Sequence, residues 1–248
     1  MPAPSPTTDA MRPALLAALL AAGPALAQTA PADTVRLAPG DPALVTDWIG
    51  PGTETIRLRL LQPVQQDIGT ATQTYAVADG RVTRVSSMTM TTPAGTMSQT
   101  DSLVATTALV PLSHHSEGGQ AAASLEFMAE GVAGMVTPGR GEPTTVLLET
   151  DVPVFDGGWA SEVARSLPFA ERYVATMPAF FAMSPDEAAE VVLSVVGSEE
   201  TASGTVWTVE AAAGPLTFTY RIDGDTRDLL STRLAPQPGV VLEFTPAE

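Results

Sequence analysis

The residues best suited by type to catalysis are His114 and His115, the chain's two histidines, flanked by Ser113, Ser116 and Glu117. Together they hold the groups of a nucleophile, a base and an orienting acid, the set that acyl transfer uses. Their spacing works against that use. Neighbouring residues of a strand point to opposite faces, so the two rings cannot share one catalytic centre or one metal unless the strand breaks there. No G-x-S-x-G elbow accompanies the serines. Both histidines therefore read as surface residues at a strand end, with a hydrolase using His114 or His115 as the alternative, and no catalytic residue is assigned.

Asp223, Asp225 and Asp228 around Gly224 have the look of a calcium loop, but the fifth position is Arg227 where an EF-hand needs a ligand. They read as a hairpin turn with solvated acids. The GRGEP stretch, residues 139–143, is too short for a phosphate loop and has no Lys, so it reads as a turn. No metal site is assigned and no cofactor is implied.

The candidate binding residues are apolar. Trp159, Val163 and Leu167 recur at i, i+4 and i+8, and Phe169, Tyr173, Met177, Phe180 and Phe181 follow closely, in a chain with only 5% aromatic residues. Such a concentration is either the core beneath a helix or the wall of a cavity that holds an acyl chain. The helix that must position it spans residues 156–167. Asp156 is a good N-cap, Pro168 is the stop, and Glu162 and Arg165 fall away from the apolar stripe.

Around this helix the pattern is of strands. Ile56, Leu58 and Leu60 alternate with Thr55, Arg57 and Arg59, which predicts a half-buried strand with its arginines toward solvent. Short strands with Gly, Asp and Pro turns continue to residue 149, including a hairpin closed by Asp79-Gly80. Residues 173–181 read as an apolar strand or loop interrupted by Pro178, and strands resume from about Ala189 to Phe244. The fold class is mainly β, a strongly curved antiparallel sheet or half-barrel with one central covering helix.

Residues 1–27 read as a signal peptide: Met11-Arg12, an Ala- and Leu-rich run at 14–22, and Ala25-Leu26-Ala27 as the cleavage site. Residues 28–52 read as a flexible Pro/Gly/Ala-rich lead-in, and 53–248 as a single antiparallel β domain. Export to the periplasm or the extracellular space follows, with no integral membrane segment after the leader is removed. Without cysteine the chain has neither disulfides nor an acylated anchor. With 28 acidic against 12 basic residues the net charge is −16, which disfavours nucleic acid as a partner.

Residues 155–169 (F-D, then R-S-L-P-F), VVGSEE at 195–200, VWTVE at 206–210 and YRIDGDTRDLLSTRL at 220–234 carry a resemblance. They resemble an exported bacterial family of unknown function, which is itself distantly similar to the periplasmic lipoprotein-carrier and lipoprotein-sorting proteins. The resemblance implies a curved antiparallel sheet covered by helices and brings no catalytic residues. The function expected is non-enzymatic: binding of an apolar ligand, a lipid or a lipoprotein segment, or service as a structural or assembly module of the cell envelope.

All twelve basic residues are Arg, and Lys and Asn are absent. A GC-rich genome explains both absences but not the acidic excess, which fits work in high salt, where screening relieves self-repulsion. The melting temperature is expected to rise from low to molar NaCl in a thermal unfolding series; a melting temperature indifferent to salt would exclude this adaptation.

Overall fold

The alternation at residues 55–60 produces the strand it predicts. β2, Gly52–Gln62, buries Ile56, Leu58 and Leu60 and leaves Arg57 exposed. The computed structural model describes residues 34–92, 95–118, 121–139 and 141–247. The expected signal peptide, residues 1–27, lies outside the described residues.

The other strands are β1 (Val35–Arg36), β3 (Gln66–Ala78), β4 (Arg81–Thr92), β5 (Gly95–Thr106), β6 (Pro111–Gly118), β7 (Ala121–Met128), β8 (Gly131–Pro138) and β9 (Thr144–Glu149). After the helical segment, which β10 (Phe155–Asp156) introduces, come β11 (Val174–Phe180), β12 (Ala188–Thr201), β13 (Gly204–Ala213), β14 (Leu216–Asp223), β15 (Leu229–Gln237) and β16 (Val240–Pro246). All belong to one sheet, in the order β1-β11-β12-β13-β14-β15-β16-β2-β3-β4-β5-β6-β7-β8-β9, with β10 also on β11. Two antiparallel meanders, β2 to β9 and β11 to β16, are thus joined edge to edge by β16 on β2. Asp79 and Gly80, at φ 50 and 70, close the β3–β4 hairpin.

The sheet is strongly curved but not closed into a barrel. In sheet order β4 and β13 are six strands apart, roughly 29 Å if the sheet were flat. Yet Val82 of β4, Leu103 of β5, Leu193 of β12, Val209 of β13 and Ile222 of β14 share one core cluster with Trp159 and Val163. Only a sheet wound about the helical segment brings them together. Register shifts in six of the ladders supply bends, since a bulge increases local twist. At the open side Val132 and Val146, from β8 and β9, pack with Val154 and Phe180 without ladder pairing, and Phe127 meets Phe180 edge-on at 6.2 Å.

The wound segment is a 3-10 turn, Gly157–Trp159, followed by a short helix α1, Ala160–Arg165. Asp156 caps it as expected, its Oδ1 accepting from the Gly158 N–H at 2.9 Å. The regular helix is shorter than residues 156–167 because its entry is pressed against the sheet. A Cβ on Gly157 would come within 2.3 Å of the Phe181 ring, and one on Gly158 within 2.7 Å of Leu103.

Glu162 and Arg165 fall away from the apolar stripe but are buried all the same, 1% and 7% exposed, under Tyr75 and Arg84 at the one and Trp48 at the other. Two expectations are corrected. The lead-in of residues 28–52 is, from Thr34 on, part of the fold. Val35–Arg36 pairs parallel with β11, Leu37 and Leu44 are buried in the main core, and Trp48 Nε1 donates to Ser166 Oγ at 3.1 Å. Residues 174–180 form an unbroken strand despite Pro178. Thr176 accepts from Leu37 N on the β1 side, so Pro178, two residues on, turns its nitrogen to the same edge, between the pairings with β1 and β10, where no ladder donor is needed.

Candidate functional site

Tyr75 on β3 and Arg84 on β4 are cross-strand neighbours on the inward face, and both reach the helix. Arg84 Nη1 donates to Glu162 Oε1 at 2.6 Å, the Tyr75 hydroxyl donates to the same oxygen at 2.7 Å, and Ser161 Oγ donates to Oε2 at 2.8 Å. Arg84 Nη2 donates to the Gly158 carbonyl at 2.7 Å, and its guanidinium lies 5.2 Å from the Trp159 ring centroid. Burial alone would raise the Glu162 carboxyl, but Arg84 and the hydrogen bonds from Arg84 and Tyr75 outweigh it and hold it below the ordinary carboxylate range. Burial likewise pushes Arg84 down and Glu162 more than restores it. Tyr75 is pushed well up, first by burial and then by the Glu162 charge.

The far end of α1 is held by a reciprocal clasp. Arg165 Nε donates to the Arg227 carbonyl at 2.5 Å, while Arg227 Nη1 donates to the carbonyls of Arg165 and Leu167 at 2.8 and 2.6 Å. A guanidinium thus satisfies carbonyls at the helix C-terminus, where a cation is favoured. Arg165 stacks 3.8 Å over Trp48, and Arg227 4.0 Å over Phe169. Arg227, the residue that spoils the calcium pattern, is the working side chain of its turn. Asp223 Oδ1 is engaged there by the N–H groups of Asp225 and Thr226 at 2.9 and 2.8 Å.

Between the helical segment and the sheet lies a cavity of about 260 Å³. Its walls include Ile56, Val191, Ala211, Ala213, Phe218, Leu229 and Phe244, and its polar margin includes Glu54, Gln73, Tyr75, Arg84, Ser161 and Arg165. The helical segment contributes Gly157, Gly158, Ala160, Ser161 and Arg165, the opposite side from its apolar stripe. Of the eight residues singled out in the sequence, Phe181 lines this space. Trp159, Val163, Leu167, Met177 and Phe180 are at most 1% exposed and packed into the core. Phe169 stacks on Trp207 at 5.6 Å, and Tyr173 packs partly buried against the same core. Tyr75, Arg84 and Glu162 were missed. One signal for Arg84 was present, since it shares strand parity with the fully buried Val82, which places an arginine on an inward face.

The histidines point to opposite faces, as strand geometry requires. His115 is on the outer face, 3.1 Å from Glu117. His114 corrects the surface reading: its side chain is 12% exposed and its Nδ1 lies 3.0 Å from Asp156 Oδ2. Burial pushes its imidazole down, but the Asp156 carboxylate beside it outweighs burial, and the net direction is upward. Neither ring lines the cavity. Among the described residues no helix is long and apolar enough to cross a membrane.

Two outcomes follow from these pairs. Glu162→Gln or Arg84→Met is expected to destabilise by about 3–5 kcal/mol, because each strands a buried charge. The double variant should lose clearly less than the sum in a urea-unfolding cycle, and strict additivity would show that the pair does not act as one unit. For His114, the folded-state value lies above the ordinary 6.5, so its stabilisation is fully present below about pH 6.5 and is lost as pH rises through that higher folded value. His114→Gln should flatten the fall in melting temperature above that pH; a fall identical to the parent's would remove His114 as its source.

No curated protein matches the chain. The family described as "Protein of unknown function (DUF3108)" matches residues 56–232, from β2 into β15 and across the whole helical segment and its surrounding strands, and the chain belongs to that family.

Proposed function

We propose that this chain is an exported, non-catalytic binding module of the cell envelope that takes an apolar ligand, a lipid chain or an apolar lipoprotein segment, into the cavity beside α1. One observation carries the reading: a largely apolar space of about 260 Å³ lies inside the curved sheet, next to a helix whose other face is fully packed. Small-molecule sites run from roughly 300 Å³ upward, so the space suits one chain better than a whole diacyl lipid. The leader-like residues 1–27 and the family resemblance support the envelope setting. The hydrolase reading through His114 or His115 has less behind it, since neither side chain borders the cavity.

Native mass spectrometry after gentle purification is the test. The expected spectrum contains a copurified lipid-sized adduct that Ala213→Trp, which fills the cavity from β13, removes while the protein stays folded by circular dichroism. A spectrum without adduct, together with no uptake of a fluorescent apolar probe by the parent protein, would overturn the reading.

A further inference from the structure

Three of the chain's nine methionines, Met88, Met90 and Met97, lie on the β4–β5 hairpin. Met90 and Met97 are direct cross-strand partners, and Met88 stands two residues before Met90, so all three share one face. That face is the inner one. The alternate residues point outward, where Thr89 pairs with Ser98 and Thr91 with Thr96 through their hydroxyls. Directly opposed residues hold their Cβ atoms about 5 Å apart, and residues two apart on a strand are separated by roughly 7 Å. Each thioether sits near the end of an unbranched side chain with three rotatable bonds. The three sulfurs can therefore meet at one point.

The surroundings differ from those of plain core filling. The apolar cluster that these residues border is otherwise built of Leu, Ile, Val, Ala and Phe. Its methionines are gathered on one hairpin, Met90 buried and Met88 and Met97 only half-buried, which leaves an ion a way in. Among the described residues no group of three or more His, Cys, Asp or Glu could hold a metal ion, so ions that prefer oxygen, imidazole or thiolate have no prepared place there.

We propose that Met88, Met90 and Met97 form a three-thioether site for Cu(I) on the inner face of the β4–β5 hairpin. Thioether sulfur is a soft, neutral ligand, which suits monovalent copper and discriminates against Zn(II). The trio adds no charge of its own, and the net charge of −16 supplies the field that draws a cation to the protein. None of the three lines the cavity beside α1, so the site stands apart from the proposed function.

The test titrates Ag(I), a redox-inert soft monocation, and anaerobic Cu(I) into the full chain against a competing chelator, with Zn(II) as the control. One Ag(I) or Cu(I) per chain is expected, with Zn(II) far weaker, and X-ray absorption of the copper form should show sulfur at roughly 2.3 Å. Leu replaces Met with little change of volume, so Met88→Leu and Met90→Leu should keep the fold by circular dichroism. Each should weaken Ag(I) binding by more than the roughly tenfold that losing a mere supporting partner costs a metal site. An acidic surface attracts any cation and a histidine can hold Ag(I), so the sulfur shell and the two substitutions decide. A shell of nitrogen or oxygen alone, binding indifferent to both substitutions, Zn(II) bound as tightly as Ag(I), or no uptake of Ag(I) and Cu(I) would each overturn the inference and leave the apolar chamber untouched.

Discussion

The fold depends on a charge pair with no water to fall back on. Glu162 is 1% exposed at the middle of α1, enclosed by a sheet that winds about the helix, and a lone carboxylate there would be very costly. Arg84 from β4, Tyr75 from β3 and Ser161 from the helix itself supply the donors that make its ionised form tolerable. These contacts also fix where the helix sits, because Arg84 can reach both Glu162 and the Gly158 carbonyl only when the Gly-Gly entry lies tight against Leu103 of β5 and Phe181 just past β11. At the other end the Arg165–Arg227 clasp ties the helix C-terminus to the turn between β14 and β15. The helix is thereby anchored to strands on both arms of the curve.

This arrangement gives α1 two unlike sides. One, Trp159, Val163 and Leu167, meets close-packed side chains from both meanders. The other, small residues and Ser161, leaves a space that the sheet's apolar face does not fill. Small residues on that side are what keep the chamber open: Ala160, Ala211 and Ala213 project too little to close it. Close packing next to an open chamber is the usual division between the part of a protein that supplies rigidity and the part that receives something.

Much of this architecture was legible along the chain. Two-residue alternation in β2, the Asp79-Gly80 turn and the β-branched run from Val191 each announced a strand, because pleated backbone puts successive side chains on opposite faces whatever lies beyond them. Asp156 announced a helix start for an equally local reason. The candidate site was hardly legible. Eight apolar residues drew attention by type, and seven of them are away from the cavity, since apolar side chains are what a core consumes.

What the sequence by itself determined is therefore the local grammar: strands, turns, one capped helical segment, an acidic chain and a mainly β class. What only the tertiary structure decided is the meaning of the charges on that segment. Glu162 and Arg165 belong on a solvent face if the helix lies on a flat sheet, and become buried anchors once β3 and β4 on one arm and β13 and β14 on the other are wound around it. That winding joins residues as distant as Tyr75, Arg84, Glu162 and Arg227. No local pattern encodes it, because it arises from the sum of register shifts and edge pairings along the whole sheet.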